Sequence, residues 1–214
     1  MPLDLSPDEL LTTTRAVRKR LDFERPVERS VVEECIEIAL QAPTGSNRQF
    51  WHWVVIEDAA KKRAVAEHYA AGFQFYRNMP PAEYPEGDTR GHRQDAVRSS
   101  AIYLSEHMHA APLLVIPCAE GRLPAGVDTA MQSGFWGSIF PAVWSFQLAL
   151  RSRGLGTALT TLHLLREREV AEVLGIPYET VTQVALLPVA YTKGTDFKPA
   201  SRQPLADFLH SDSW

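Results

Sequence analysis

Cysteine is scarce in this chain. Its 214 residues include only Cys35 and Cys118, which are far apart and form no Cys-x-x-Cys pair. A disulfide-stapled domain would carry many more cysteines, and a thiol redox centre would bring two of them together. We therefore expect two buried thiols in a reducing compartment, with the cytoplasm as the default location.

Long apolar runs are absent as well. Gln, Arg or Pro interrupts the apolar stretches within about ten residues, whereas a membrane-spanning helix needs roughly 20. The segment Met1-Pro2-Leu3-Asp4-Leu5 is acidic and lacks the basic and apolar regions of a signal peptide. We expect neither a membrane span nor a signal peptide.

The chain also lacks an excess of positive charge. Its formal net charge is −4 and its pI is near 6.0, which argues against nucleic acid or an anionic membrane as the main partner. Positive charge is nonetheless concentrated in Arg15-Ala16-Val17-Arg18-Lys19-Arg20. A small anionic ligand therefore remains compatible with the sequence.

Signatures of common catalytic and metal sites are missing. There is no GxSxG, no GxxxxGK[ST] and no HExxH. His107 and His109, with Glu106 beside them, could suggest a metal site, but the sequence offers no coherent third ligand. We therefore expect a solvated helix surface and no metal. Gly154-Leu155-Gly156 lacks a third glycine and follows a helix, unlike a dinucleotide-binding fingerprint, which follows a strand.

The pattern of apolar residues predicts one α+β domain over residues 1–214, with few strands. Ser6-Pro7-Asp8-Glu9 is a capping box that opens a first helix. Further helices are predicted over 31–40, from the cap at Asp58 to about Tyr69 or Tyr76, and over 93–109, 135–150 and 166–174. Strands or extended segments are predicted over 50–56, 113–118, 155–162 and 182–191. The helix over 135–150 is apolar nearly all round, which predicts burial at the centre or at a subunit interface.

Residues 78–91 differ from their surroundings. They hold Pro80, Pro81, Pro85, Gly87 and Gly91 among charged residues, which predicts a long surface loop. Long loops within compact domains are often functional lids, and a disordered insertion is the alternative. We assign a lid or insertion to about residues 72–110.

The most informative connection is Ala42-Pro43-Thr44-Gly45-Ser46-Asn47-Arg48-Gln49-Phe50-Trp51, between a helix and an apolar strand. It can turn sharply and offer several hydrogen-bonding groups to one planar polar ligand. A simple helix-to-strand turn is the alternative. Together with the cationic cluster at 15–20, this loop suggests the ring and phosphate contacts of a flavin site.

Four segments, taken in order, resemble the FMN-dependent nitroreductase family. They are Arg15-Ala16-Val17-Arg18, the connection 42–51, Gly154-Leu155-Gly156, and Arg202-Gln203-Pro204-Leu205. The chain departs from the family pattern at Ala16, where serine is usual, at Arg20, where an aromatic is common, and at Phe50, where proline is usual. None of these departures removes a cation that could bind phosphate.

The resemblance implies a nitroreductase-like fold with a central mixed sheet flanked by helices, in an entwined homodimer with two interfacial flavins. It also implies a ping-pong hydride-transfer reaction with FMN as cofactor and NAD(P)H as electron-donating cosubstrate. The acceptor would be a small electron-poor molecule, such as a nitroaromatic or a quinone. A flavin store or sensor without turnover is one alternative, and reductive dehalogenation or flavin breakdown is another.

The resemblance also assigns cofactor-binding residues. Arg15 and Arg18 fit the phosphate and ribityl chain, because guanidinium is a preorganised fork for anions. On the phosphate side, the other implied contacts are backbone groups of Ala16 and Val17 and the side chains of Lys19, Lys198 and Arg202. At the ring, the implied contacts are the ring-edge loop of Pro43, Thr44, Gly45, Ser46 and Asn47, and backbone amides of Thr160, Thr161 and Leu162. The 43–47 loop would reach a flavin held mainly by the other subunit.

No catalytic side chain is expected, since a bound flavin would itself carry the redox chemistry. Aromatic residues of the insertion, namely Phe73, Phe75, Tyr76 and Tyr84, would line or cover the face of the ring where the acceptor binds.

Overall fold

The computed structural model describes residues 2–80, 82–85, 88 and 90–214. Helices in these ranges are α1 (Pro7–Thr13), α2 (Arg29–Ala39), α3 (Ala59–Asn78), α4 (Gln94–His107), α5 (Thr129–Ser152) and α6 (Glu167–Leu174). Strands are β1 (Leu21–Asp22), β2 (Trp51–Ile56), β3 (Leu113–Glu120), β4 (Leu155–Gly156), β5 (Val181–Gln183) and β6 (Leu187–Thr192).

The strands form one sheet with the order β1-β6-β3-β2, in which β4 also pairs with β6 and β5 with β3. The ladders are antiparallel, and isolated parallel bridges join Ala16 to Thr157 and Gly121 to Val181. The predicted α+β architecture with a mixed sheet flanked by helices is confirmed.

The core lies on both faces of the sheet, because successive side chains of a strand point to opposite sides. In β3, Leu114 and Ile116 pack against residues of α3 and α4, whereas Leu113 and Val115 pack against residues of α2 and α5. β3 is therefore buried on both faces, which explains why its sequence is apolar almost throughout.

Most predicted elements are found close to their expected bounds. The capping box of α1 is present: the N–H of Glu9 donates to the Ser6 hydroxyl at 3.2 Å, and the N–H of Ser6 donates to the Glu9 carboxylate at 2.8 Å. Cys35 and Cys118 are free and buried, as expected. None of the described helices is long and apolar enough to cross a membrane.

Three element boundaries differ from the prediction. α5 begins six residues before 135, at Thr129, because the Asp128 carboxylate accepts a hydrogen bond from the N–H of Met131 and caps the helix. Only 155–156 of the extended segment 155–162 is strand, and a 3₁₀ helix follows over Leu162–Arg166.

The strand predicted over 182–191 is split into β5 and β6. Between β5 and β6, the three residues 184–186 lie opposite only two residues of β3, 116 and 117. The 181–192 segment therefore has one extra residue and forms a β-bulge. Pro117 lies at this point and has no N–H to donate to the ladder. Its carbonyl oxygen still accepts a hydrogen bond from the N–H of Val184 at 2.9 Å.

The predicted insertion at 72–110 contains the end of α3 and all of α4. Pro81, Glu86, Gly87 and Thr89, which belong to this insertion, lie outside the described residues.

Candidate functional site

The first candidate residues lie where the chain leaves α1 and reaches the edge of the sheet. Ala16 bridges to Thr157, and the N–H of Val17 donates to the Thr157 carbonyl oxygen at 2.8 Å. Val17 is buried in the core. Its flanking residues, Arg15 and Arg18, are thereby held at a fixed place on the edge of the sheet.

Three guanidinium groups from distant parts of the chain converge beside this segment. Arg15, Arg93 and Arg202 line a cavity of about 360 Å³, which we call the arginine cavity. The rest of its lining is Tyr84, Arg90, Gln94, Val97, Ala200, Ser201, Gln203 and Phe208. The N-terminal segment, the start of α4 and the C-terminal tail therefore meet at one place.

The arginine cavity carries excess positive charge. Burial lowers the pKa of Arg15, and the nearby charges of Arg202 and Arg93 lower it further. In the described part of the chain, none of these three arginines forms an ion pair with a carboxylate, whereas Arg90 pairs with Asp88 at 2.6 Å. A bound anion such as a phosphate would relieve this repulsion.

A second cavity, of about 250 Å³, adjoins the first. It is lined by Arg18, Tyr69, Phe73, Tyr76, Val97, Ala101 and residues 159–162, and we call it the aromatic cavity. Val97 of α4 lines both cavities, which makes them neighbours. Burial raises the pKa of Tyr69 to about 12, so its phenol is neutral at physiological pH.

One wall of the aromatic cavity is held rigidly. The N–H and carbonyl of Thr160 exchange hydrogen bonds with Leu186 at 3.2 and 2.8 Å, and the Thr160 hydroxyl donates to the Leu186 carbonyl oxygen at 2.6 Å. A Cβ atom at Gly72 would clash with the carbonyl oxygen of Leu162, so α3 approaches this wall closely. The predicted residues Thr160, Thr161 and Leu162 all line this cavity.

α4 lies next to the cationic segment. Nη1 of Arg18 donates to the Ser100 hydroxyl at 3.3 Å, and Nζ of Lys19 donates to the Ser99 hydroxyl at 2.7 Å. Lys19 was predicted to bind the cofactor, but it lines neither cavity. Lys198, the other predicted lysine, is exposed and also lies outside both linings.

The predicted ring-edge loop has an unusual backbone. Ser46, Asn47 and Gln49 have φ values of 52°, 52° and 49°, in the left-handed region that side chains other than glycine disfavour. The loop is held by hydrogen bonds from the N–H of Gln49 to the Thr44 hydroxyl and from its side-chain amide to Asn47. Strained loops of this kind cluster at ligand-binding sites.

This loop does not reach the two cavities of its own chain. Residues 43–47 line neither of them. The loop packs instead on α5, where the N–H of Gly45 donates to the Ser138 hydroxyl at 2.9 Å. Gly45, Ser46 and Asn47 are exposed there, so their polar groups are accessible from outside the chain.

The aromatic residues of the insertion divide into two groups. Phe73 and Tyr76 line the aromatic cavity and Tyr84 lines the arginine cavity, whereas Phe75 is 63% exposed and lines neither. Among the described residues, no group of three His, Cys, Asp or Glu side chains could hold a metal ion.

Sequence reasoning missed Arg93 and Val97. Both lie in the insertion, where no motif marks them, and only the fold brings them beside Arg15. The one signal in the sequence is the local density of basic residues, with Arg90, His92 and Arg93 close together.

Comparison with known proteins gives a consistent result. The sequence model of the Nitroreductase family matches residues 11–191. An inferred NADH dehydrogenase/NAD(P)H nitroreductase of Archaeoglobus fulgidus is 24% identical over 210 residues, which are 96% of this chain and 97% of the relative.

Two solved structures share the fold. An iodotyrosine deiodinase bound to FMN and 3-iodo-L-tyrosine has a TM-score of 0.73 and 22% identity, over 97% of this chain and 99% of the other. An FMN- and NADPH-dependent nitroreductase, NfnB of Sphigopyxis sp. strain HMH, has a TM-score of 0.70 and 20% identity, over 98% of this chain and 100% of the other.

Proposed function

This chain belongs to the nitroreductase family, and we propose that it is an FMN-dependent NAD(P)H oxidoreductase. Its substrate would be a small electron-poor acceptor, such as a nitroaromatic or a quinone, reduced in a ping-pong hydride-transfer reaction. The observation that carries the proposal is the convergence of Arg15, Arg93 and Arg202 on one cavity next to an aromatic one.

The arginine cavity suits the phosphate of a mononucleotide. Such a phosphate carries a charge of about −1.5 to −2. This charge matches the guanidinium groups of Arg15, Arg93 and Arg202, none of which pairs with a carboxylate among the described residues. Arg15 and Arg202 come from opposite ends of the chain and lie on the same cavity. A charge-assisted hydrogen bond contributes about 1.5–3 kcal/mol, so two or three of them would account for tight binding.

The aromatic cavity suits the ring system. Arg18 lines this cavity and would contact the ribityl chain. The N–H of Thr160 already donates to Leu186, so the backbone amides that could face the ring are those of Thr161 and Leu162. A bound flavin supplies the electron-transfer chemistry, so the chain's part is to bind, orient and exclude water. Thr160 performs the orienting role through its hydrogen bonds to Leu186, which fix the wall relative to the sheet.

The acceptor would stack in the remaining space of the aromatic cavity. Phe73 and Tyr76 of α3, together with Ala101 of α4, give it an apolar surface on which a planar conjugated molecule can pack. Tyr69 is neutral and therefore does not repel an anionic acceptor. This arrangement supports a broad class of aromatic acceptors.

Completion of the site requires a second copy of the chain. We include in the proposal a homodimer in which the exposed 43–47 loop of each subunit meets the flavin of the partner. The loop has a strained backbone, exposes Gly45, Ser46 and Asn47, and lies on α5, which supports this contact. A cytoplasmic location also belongs to the proposal, supported by two free thiols.

The absorption spectrum of the purified protein and mass spectrometry of the released ligand test the cofactor. We expect bound FMN. Stopped-flow mixing with NADH and with NADPH then tests turnover. Rapid bleaching of the flavin absorbance, followed by its return on addition of a quinone, supports the enzyme. Bound flavin that neither cosubstrate bleaches would point instead to a store or sensor.

Replacement of both Arg15 and Arg202 by Ala tests the phosphate site. We expect the purified double variant to be colourless, because it loses two charge-assisted contacts to the phosphate. Replacement of Arg63 and Arg166, which lie outside both cavities, is the matched control and should leave the preparation yellow. A double variant as yellow as the wild type would refute the proposed site.

A further inference from the structure

Arg93 occupies a position that the resemblance to the family does not assign. It is the last residue of a 3₁₀ turn, Gly91–Arg93, and immediately precedes α4. Its guanidinium lies in the arginine cavity near Arg15. The insertion thus adds Arg93 to the guanidinium groups from the two ends of the chain, whereas Arg90, the other arginine of the lining, pairs with Asp88.

Arg93 differs from the other arginines of this region. Arg90 pairs with Asp88, and Arg98 donates hydrogen bonds to the backbone carbonyls of Arg77 and Met79 at 2.7 and 3.4 Å. Within the described residues, Arg93 has no ion pair, and its charge adds to the repulsion felt by Arg15. Arg93 is exposed, and a bound anion would offset the repulsion between its charge and that of Arg15.

The N-terminal half of α4 is held by polar contacts near the surface, and no residue of it is buried. Leu104, in the second half, is the helix's buried residue. The first half is attached through hydrogen bonds from Arg18 to Ser100, from Lys19 to Ser99, from Gln94 to the Tyr84 hydroxyl, and from Arg98 to the carbonyl oxygens of Arg77 and Met79. An additional contact at Arg93 would therefore have a large influence on where this half of the helix lies.

We propose that Arg93 is a third ligand of the flavin phosphate, and that this contact positions α4 against the aromatic cavity, where the acceptor would bind. The inference rests on the proposed function, because it takes the arginine cavity as the phosphate site. Arg93, Val97 and Ala101 are spaced four residues apart and so lie along one face of the helix. Val97 and Ala101 line the aromatic cavity. Phosphate binding at the start of α4 therefore fixes the position of the helix residues that line the aromatic cavity.

The test compares FMN with riboflavin, which has the same ring and ribityl chain but no phosphate. Flavin fluorescence gives the Kd of each ligand for apoprotein of wild type, R93Q and R98Q. R98Q removes the same charge five residues further along the chain, from a side chain that lies outside both cavities. We expect R93Q to raise the Kd for FMN about ten- to a hundredfold and to leave the Kd for riboflavin unchanged. R98Q should change the Kd for FMN and the Kd for riboflavin little, and by the same factor.

Hydrogen exchange of the backbone amides of residues 94–101 tests the second half of the inference. In the wild type, saturating FMN should slow this exchange, and saturating riboflavin should not. In R93Q, saturating FMN should fail to slow it. Equal protection by FMN in the wild type and in R93Q would overturn the positioning role.

The outcomes separate this inference from the proposed function. A wild type that binds FMN no more tightly than riboflavin would refute the phosphate site itself. If wild type prefers FMN, R15Q abolishes that preference and R93Q retains it, the phosphate site stands and the role of Arg93 is refuted. A loss of affinity in R93Q that is equal for both flavins would also refute it, since only a contact to the phosphate distinguishes the two ligands.

Discussion

His163 is fully buried, and neither of its ring nitrogens has a hydrogen-bond partner among the described residues. Burial lowers its pKa to about 3, so the ring is neutral in the folded protein at any ordinary pH. It follows the cavity wall of Thr160 to Leu162 in sequence, in the 3₁₀ helix Leu162–Arg166. Burial disfavours a charge on this ring, and no described residue hydrogen-bonds to it, so the residue links stability to pH.

The sign of that link follows from proton binding. Between the unfolded pKa of about 6.5 and the folded pKa of about 3, the unfolded chain binds a proton that the folded chain does not. The free energy of unfolding therefore falls as the pH falls through this window, by up to about 1.4 kcal/mol per pH unit from this one residue.

Replacement of His163 by Leu should remove this contribution. We expect H163L to be at least as stable as the wild type at pH 7.5, because the lost polar atoms had no partners. Its advantage should then grow as the pH is lowered from 6 to 4. Urea unfolding of both proteins at four pH values across this range measures the difference in their free energy of unfolding. Parallel stability curves for the two proteins would show that His163 is not the titrating group.

At the scale of elements, the site depends on how closely α3 approaches the segment that follows β4. Gly72 lies in the middle of α3, where glycine is normally destabilising by about 1 kcal/mol relative to alanine. Helix propensity alone predicts that G72A stabilises the protein. The structure predicts the opposite, because an added Cβ would clash with the carbonyl oxygen of Leu162.

We expect G72A to lower the free energy of unfolding by about 1–3 kcal/mol, the usual cost of overpacking. The affinity for FMN should fall as well, because α3 and residues 160–162 both line the aromatic cavity. Chemical denaturation and flavin titration give the two quantities. G134A is the control: Gly134 of α5 has no atom within 4 Å of an added Cβ, so this change should be neutral or stabilising. Stabilisation by G72A would contradict the packing described here.

Elements with a clear apolar period could be predicted from the sequence, and elements set by tertiary contacts could not. α2 and β2 were predicted within about two residues, because α2 has apolar residues at helical spacing and β2 is rich in aromatic and β-branched residues. The early start of α5 was missed, since Met131 is the one large apolar residue in 129–134 and only the cap at Asp128 marks the segment. The bulge at 184–186 depends on its pairing with β3, which no local pattern reveals.

The same division holds for the site. Arg15, Arg18 and Arg202 could be predicted because they belong to recognisable segments, and the structure brings all three to the two adjoining cavities. Arg93 could not, because its nearness to Arg15 results from the packing of α4 beside the cationic segment. Such convergence of distant segments is a property of the fold.

At the scale of the whole molecule, one face of α5 is only partly covered. Trp136, Phe140, Pro141 and Trp144 line a surface trough along the helix, and Phe140 and Trp144 are 38% and 43% exposed. Exposed aromatic residues on one helix face are typical of a subunit interface. The 43–47 loop is anchored on the same helix through Ser138. Pairing through α5 would therefore carry the loop of one subunit toward the flavin of the other.

The double variant Phe140→Glu/Trp144→Glu tests this arrangement. Light scattering of the wild type should give about twice the chain mass of 23.9 kDa, and the variant should give the mass of one chain, because two carboxylates cannot be buried unpaired at an apolar interface. The variant should also lose most of its FMN, since the partner's 43–47 loop would no longer reach the ring.

Phe75→Glu is the control, because Phe75 is 63% exposed on α3 and lines neither cavity. This variant should remain dimeric and yellow. A wild type of 23.9 kDa that binds FMN tightly would show that one chain forms the complete site, and the strained loop would then need another explanation.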